Sequence, residues 1–169
     1  MNLKTLAQKA QHHSFYRWLL SFQLNRVVPF NKPHGFKITA ISLHELTVEL
    51  PYKKRNWNHV KGLHACALAT LAEVSSGFLL ILNLNPKKYR LILERLEMDY
   101  HYQGKMAAVA RFNLTEEFLN HNVFSPLKTH EKLSLPCEVK IYDVENNHLA
   151  TGTAHWQIKD WQKVKTKLT

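Results

Sequence analysis

A chain of 169 residues that is 45% hydrophobic and 11% aromatic is long enough and apolar enough to bury one core, which excludes a disordered protein. Its formal net charge of +10 favours a polyanionic partner, such as nucleic acid, lipid head groups, a nucleotide-bearing substrate or an acidic carrier protein. Its two cysteines, Cys66 and Cys137, have no paired ligand spacing, so we expect neither a disulfide framework nor a zinc site, and we expect a cytoplasmic location.

The first predicted element is an amphipathic helix over residues 3–22, within a helical extension of residues 1–34. Apolar side chains recur there at helical spacing, so we expect the helix to pack on the body of the domain. Residues 1–44 contain six Lys or Arg and no Asp or Glu, which together with Trp18 leaves a membrane-surface helix as the alternative. The predicted packing face comprises Leu3, Leu6, Ala7, Ala10, Phe15, Trp18, Leu19 and Phe22.

Residues 36–50 alternate between apolar and polar side chains, with few interruptions. This pattern predicts a single long strand that has one solvated face. Its apolar face runs from Phe36 to Leu50, and Pro51 ends the strand. A basic loop then leads into the next element.

A long apolar helix is predicted over residues 64–82, and the run from Asn83 to Pro86 ends it. The stretch is nearly long enough to cross a bilayer. Glu73 interrupts it, however, so we expect no transmembrane segment. A helix that is apolar on nearly every side must be covered by a sheet or shared with a partner.

The second half of the chain predicts four strands. The apolar phase of the first slips near Glu94 and Arg95, as a bulge would cause. Gln103-Gly104 suits a tight hairpin between the first strand and the second. Thr115 is suited to capping a short helix before the third. The four predicted strands cover residues 89–102, 105–112, 133–141 and 149–158.

This order of elements predicts an α+β fold in which a five-stranded antiparallel sheet wraps the long helix. The amphipathic helix at the N-terminus is an addition to that arrangement. We assign residues 35–162 to a single domain and residues 163–169 to a basic C-terminal tail.

Glu73 is the only acid in the predicted core helix. An unpaired carboxylate in apolar surroundings has a raised pKa, which suits general-base catalysis near neutral pH. The N-terminus of the same helix offers free N–H groups and a partial positive charge, which suit a developing oxyanion. A base and an oxyanion donor on one helix suit hydrolysis of an activated carbonyl group.

Asn58 stands six residues before His64, and Glu73 stands nine residues after it. This spacing resembles the signature of PaaI-like acyl-CoA thioesterases of the hot-dog superfamily, in which an Asn precedes a His-Gly-Gly and an acid follows. The predicted strand order is similar as well. With its N-terminal helix, the chain is more similar to the thioesterase-like branch that includes the YiiD C-terminal domain.

The resemblance implies a thioesterase acting on acyl-CoA or an acyl carrier protein. Glu73 would be the base or nucleophile, the backbone N–H of Ala65 the oxyanion donor, and Asn58 of the facing subunit would orient water. His64 belongs to the same motif, although a capping role is its alternative. The resemblance also implies a homodimer with shared active sites, which can pair into a dimer of dimers. It implies no cofactor and no metal, since coenzyme A is part of the substrate.

The chain departs from the signature where Ala65-Cys66 replaces the Gly-Gly. Two added Cβ atoms crowd a place where the substrate approaches the backbone. Gly62 and Cys66 are therefore candidate substrate contacts. Basic residues suit the phosphates of coenzyme A or an acidic carrier protein, and the candidates are Lys53, Lys54, Arg55, Lys87 and Lys88.

Three other functions stay open at this point. The Ala65-Cys66 change favours a protein that binds acyl thioesters without turnover. A hot-dog dehydratase or hydratase pairs a catalytic His with an acid, and neither His59 nor His64 lies in such a motif. A nucleic-acid binder needs exposed aromatic residues beside its basic clusters. Most aromatic residues here have core-like spacing, so we expect no specific nucleic-acid partner.

Overall fold

The computed structural model describes residues 2–164. Six strands form one antiparallel sheet, and the longest helix packs on it. When the strands are numbered along the chain, their order across the sheet is 1-2-4-5-6-3. The predicted α+β class with a long helix on an antiparallel sheet is confirmed. The elements are α1 (Leu3–His12), α2 (Ser14–Val27), β1 (Lys37–Ile41), β2 (Glu45–Leu50), α3 (Ala65–Asn83), β3 (Tyr89–Tyr100), β4 (Ala108–Asn113), α4 (Glu116–Leu119), α5 (Pro126–Thr129), β5 (Lys132–Asp143) and β6 (His148–Asp160).

The core lies between α3 and the sheet. α3 contacts β2 through β6, and most of its side chains are buried, as its apolar composition requires. It is long and apolar enough to cross a membrane, yet 67% of its most apolar window is buried inside the domain. Gly152 of β6 allows the close approach of sheet and helix, because a Cβ there would lie 2.7 Å from that of Ala72. Cys137 is also in this core, and burial raises the pKa of its thiol to about 12.

The sheet has six strands because the predicted long strand over residues 36–50 is a hairpin. A tight turn at Ser42 separates β1 from β2: its N–H donates to Glu45 O at 2.8 Å, and its Oγ accepts from His44 N at 3.1 Å. A register shift between Ile38 and Ala40 leaves Ala40 exposed, although its place in the alternation predicted burial. No Gly or Pro marks this turn, so the alternation alone could not reveal it.

The predicted hairpin at Gln103-Gly104 is wrong. β3 pairs with β6 rather than with β4, so the chain crosses the sheet after Tyr100. Gly104 has a packing role instead. Its carbonyl accepts from Leu63 N at 2.8 Å, and a Cβ there would lie 2.9 Å from the side chain of Leu149.

Two local predictions in the second half of the chain are confirmed. The register of β3 shifts between Leu93 and Arg95, which is the predicted bulge. The Thr115 hydroxyl caps α4 by accepting from Phe118 N at 3.0 Å. Most of the predicted basic tail lies outside the described residues.

The N-terminal segment is two helices rather than one, with a break at His13. Leu6, Ala7 and Ala10 of α1 are buried as predicted. The prediction is wrong for the aromatic residues of α2, which are exposed: Phe15, Trp18 and Phe22.

α2 packs through its opposite side, which contains Leu20, Ser21 and Leu24. Ser21 Oγ accepts from Ile38 N at 2.8 Å, so this side is hydrogen-bonded to the edge strand β1. Both sides of α2 are apolar, and helical spacing alone could not show which of them is buried.

Candidate active site

The loop before α3 is ordered by its own polar groups. Asn58 Oδ1 accepts from Gly62 N at 2.9 Å and from Val60 N at 3.1 Å. Its Nδ2 lies 3.5 Å from Leu63 O, a long contact that leaves this donor available. Asn58 therefore shapes the loop in one chain, and its predicted role in orienting water for a facing subunit stays a prediction.

His64 caps α3. Its Nδ1 accepts from Cys66 N at 3.1 Å, and the ring is exposed to solvent. This is the capping alternative, and it satisfies one of the N–H groups that every helix leaves free at its start. Gly62 is buried, and a Cβ there would lie 2.8 Å from the side chain of Gln103. A side chain at Gly62 would therefore displace Gln103.

The N–H of Ala65 is free to act as an oxyanion donor. Within residues 2–164 it donates to no acceptor, whereas its carbonyl accepts from the Tyr100 hydroxyl at 3.1 Å. Ala65 and Cys66 are both exposed. A shallow pocket of about 340 Å³ opens here, and its lining includes Asn58, Ala65, Leu68, Tyr100 and Gln103.

Glu73 is half-buried near the middle of α3. Within the part of the chain that the structure describes, its carboxylate makes no hydrogen bond and no ion pair. Burial raises its pKa above the ordinary value of a glutamate. A carboxylate that is partly desolvated and unpaired is a stronger candidate for general-base chemistry than one held in a salt bridge.

The Glu73 cavity has a volume of about 340 Å³, which is at the small end for ligand sites. One wall is the Trp156 indole, whose Nε1 donates to Ser76 Oγ at 3.0 Å. The indole packs closely against α3 at Gly77, since a Cβ there would lie only 2.6 Å from its ring. The other wall comes from the N-terminal extension and comprises Gln23, Leu24, Val27, Val28, Phe30 and Asn31.

One chain does not bring the two reactive groups together. Eight residues of helix separate Ala65 from Glu73, a rise of about 12 Å. The least buried residues of the first half of α3 are Ala65, Cys66, Ala69 and Glu73, which lie along one side of the helix. Both groups therefore lie on the same side of α3, about 12 Å apart along the helix.

The two predicted basic clusters lie at opposite ends of α3, which is about 27 Å long. Lys53, Lys54 and Arg55 are exposed in the loop beside the helix start, where His64 N donates to Asn56 O. Lys87 and Lys88 are exposed after the helix end. Only the first cluster is near the free N–H of Ala65.

The second cluster borders a larger pocket. Lys88 lines this pocket of about 830 Å³ together with Lys4 and Lys128, whereas Lys87 does not. Leu3 and Ile81 line both the larger pocket and the Glu73 cavity, so the two are adjacent.

Comparison with known families identifies the chain. A family described as a domain of unknown function, DUF4442, matches residues 16–158, most of the sequence. The chain belongs to the DUF4442 family. No curated protein matches the sequence.

Solved structures show what fold this DUF4442 chain shares. PA5026 of Pseudomonas aeruginosa, described as a protein of unknown function and probable thioesterase, has a TM-score of 0.77 at 18% identity, over 85% of this chain and 95% of its own. Thioesterase HI1161 of Haemophilus influenzae has a TM-score of 0.63 at 14% identity, over 82% and 87%. Thioesterase PA1618 of P. aeruginosa has a TM-score of 0.65 at 13% identity, over 82% and 93%.

These likenesses confirm the hot-dog thioesterase-like fold for the DUF4442 chain. Identities this low say nothing about substrate or about individual residues. The site must therefore be argued from its own geometry. Within residues 2–164 no group of three or more His, Cys, Asp or Glu is placed to hold a metal ion.

Sequence reasoning about this DUF4442 chain missed two parts of the site. Tyr100, at the end of β3, reaches the carbonyl of Ala65, and no local pattern indicates a contact between residues so distant in sequence. The cavity wall from the N-terminal extension was missed as well. Its signal in the sequence is the apolar pair Val27-Val28 at the end of α2.

Proposed function

We propose that this protein hydrolyses acyl thioesters at a site formed between two copies of the chain. Glu73 takes a proton from water, the water oxygen attacks the thioester carbonyl carbon, and the carbonyl oxygen becomes an oxyanion held by the Ala65 N–H. The C–S bond then breaks, the thiol leaves with the proton, and a carboxylic acid is formed. No cofactor enters this reaction.

The observation that carries the proposal is the state of Glu73. It is an unpaired, half-buried carboxylate at the edge of an apolar cavity. A structural carboxylate in such surroundings would be expected to have a partner, because an unpaired buried charge is costly. An acyl chain suits the cavity lining, and the carboxylate then stands at the end of that chain where the thioester would lie.

The separation of Glu73 from Ala65 supports a second copy, which would bring the base of one chain near the oxyanion donor of the other. The 12-residue strand β3 offers a place for one, since it lies at an edge of the sheet and pairs with β6 on one side only within the described residues. Such an edge is a template for another strand. We propose that two copies pair there and share their sites, and a dimer of dimers is compatible with this arrangement.

The thiol carrier is proposed to be coenzyme A or an acyl carrier protein, in the cytoplasm. Lys53, Lys54 and Arg55 lie in the loop beside the start of α3, and phosphate groups suit them. Lys88 with Lys4 and Lys128 is the competing cluster, beside the larger pocket. Neutralising each cluster separately shows which of them binds the carrier, since only the correct one raises KM.

Thioester binding without turnover is the second candidate. It is favoured by Ala65 and Cys66, whose Cβ atoms stand beside the free N–H where the resembling enzymes have glycines.

The deciding experiment measures thiol release from acyl-CoAs of increasing chain length. We expect wild-type protein to release thiol and Glu73→Gln to lower kcat by about 100-fold or more, the scale of a lost general base. Glu45→Gln, which alters an exposed carboxylate on β2, is the matched control and keeps full activity. Binding of every acyl-CoA without thiol release would overturn hydrolysis and support the second candidate.

A further inference from the structure

A large apolar surface on the N-terminal extension faces solvent. Phe15 is 63% exposed, Trp18 60% and Val27 79%. Contiguous apolar patches of this kind are rare on proteins that bind nothing. The exposed apolar surface of α2, as we define it, comprises Phe15, Trp18, Phe22 and Val27 of the helix together with Val28 and Phe30 just after it.

The rings of this surface are ordered. Phe15 stacks on Trp18 with 6.0 Å between ring centroids, and Trp18 stacks on Phe22 at 5.9 Å. Residues at this spacing lie on one side of a helix. Because α2 is hydrogen-bonded to β1 through its other side, the row of rings is held outward by the fold.

Cations stand at both ends of the row. Arg26 lies over the Phe22 ring at 5.4 Å. At the other end Lys9 lies 5.4 Å from the Tyr16 ring, which contacts Phe15 edge-on. Residues 1–44 contain no Asp or Glu, so no acid of this segment offsets these charges.

The combination of exposed aromatic rings and flanking cations narrows the class of partner that this surface can bind. A symmetric pair of copies would place the same surface against itself, so the cations of one copy would meet the cations of the other. An anionic lipid surface accepts both features at once, because Trp and Phe enter the interfacial region while Lys and Arg contact the head groups.

We propose that the exposed apolar surface of α2 docks the protein on anionic lipid membranes. α2 lies along the membrane plane with its aromatic row inserted, and the domain remains outside the bilayer. This goes beyond the proposed hydrolysis and does not depend on it.

One consequence does rest on the proposed function. Val27, Val28 and Phe30 belong both to the docking surface and to the wall of the Glu73 cavity. Docking therefore sets the cavity beside the lipid, so an acyl chain dissolved in the membrane reaches it with little exposure to water. The substrate class that fits is a long-chain acyl thioester, which partitions into membranes through its chain.

Sedimentation of the full chain with vesicles tests the docking. We expect binding to vesicles of phosphatidylcholine mixed with phosphatidylglycerol, and much weaker binding to phosphatidylcholine alone. The double variant Trp18→Gln, Phe22→Gln lowers the partition coefficient by about tenfold or more, the scale of one buried ring. Val144→Gln removes an equally exposed apolar side chain from the turn between β5 and β6, and we expect it to bind as the wild type does.

A charge variant separates the two contributions. Lys9→Gln with Arg26→Gln lowers binding to the anionic vesicles only, and added salt has the same effect on the wild type. Brominated lipid quenches Trp18 fluorescence, and the Trp18→Gln variant loses this quenching. Circular dichroism confirms that all variants are folded.

Other outcomes would overturn the docking proposal. Equal vesicle binding by wild type and the double variant would show that the aromatic rings do not bind lipid. Self-association without lipid that the double variant abolishes would identify a second copy as the partner instead. Specific binding of an acidic carrier protein in place of vesicles would also overturn the docking proposal. Thiol release from a water-soluble short-chain substrate is measured in parallel. If vesicle binding fails while Glu73-dependent thiol release persists, only the docking proposal is wrong. If vesicle binding persists while no thiol is released, only the proposed hydrolysis is wrong.

Discussion

Polar groups at the start of α3 and at its middle are placed in opposite ways. At the start, Asn58 accepts hydrogen bonds from two backbone N–H groups of the loop, and His64 accepts one from the first turn of the helix. These bonds order the loop and cap the helix. At the middle, Glu73 has no partner within the described residues and lies against apolar side chains. The polar groups at the helix start have a structural role, whereas an unpaired and partly buried carboxylate calls for another explanation, such as a catalytic role.

The largest effect expected on stability comes from Asn58. Asn58→Ala leaves the N–H groups of Val60 and Gly62 without their acceptor, which costs about 1–3 kcal/mol. Chemical denaturation measures the loss. Asn58→Asp keeps the acceptor oxygen and removes the Nδ2 donor, so it separates the loop role from the predicted water-orienting role. A stable Asn58→Asp variant with full activity would show that this donor has no catalytic role.

His64 should give a smaller effect of the same kind. His64→Ala removes the cap of α3 and costs about 0.5–2 kcal/mol, as lost N-caps do, while His64→Ser restores most of it. Thermal unfolding checks both values. If the serine variant folds normally and still loses most of its thiol release, His64 is one of the reacting groups. The contrast between a structural helix start and a reactive Glu73 would then be weaker.

The smallest effect is the pH dependence that Glu73 adds. Burial raises the pKa of Glu73 in the folded state above its unfolded value. The stability it contributes is therefore complete below the unfolded pKa, about 4.3, and is lost as pH rises through the folded pKa. Activity changes in the opposite direction, because the base works only when it is ionised.

Denaturation and thiol release across this window measure the two trends. Glu73→Gln should flatten the stability trend and, relative to wild type, should gain stability at neutral pH. A wild-type activity that is constant through the window would mean that another group is the base.

Local signals in the sequence predicted the frame of the fold well. The helix predicted over 64–82 is α3. A long apolar run that ends at Asn83 and Pro86 is compatible with few structures other than a buried helix. The bulge near Arg95 and the cap at Thr115 are equally local, and both are present.

Features that depend on distant contacts were not predictable. The partner of β3 is β6, and no turn signal between them reveals it. Hydrogen bonds, not the apolar pattern, determine which side of α2 faces solvent. Ser21 and Asn25 accept these bonds from the backbone of β1 and of the residue just before it. Glu73 could be recognised from the sequence, but the cavity around it could not, since one wall comes from the extension.

The origin of that wall bears on how related proteins can diverge. Val27, Val28 and Phe30 line the cavity from a segment outside the sheet and outside α3, and all three are exposed. Substitutions there can reshape the cavity without disturbing the core on which folding depends. Under the proposed hydrolysis, chain-length preference can therefore change through substitutions in the extension while α3 stays unchanged, so engineering of the preferred ligand should begin there.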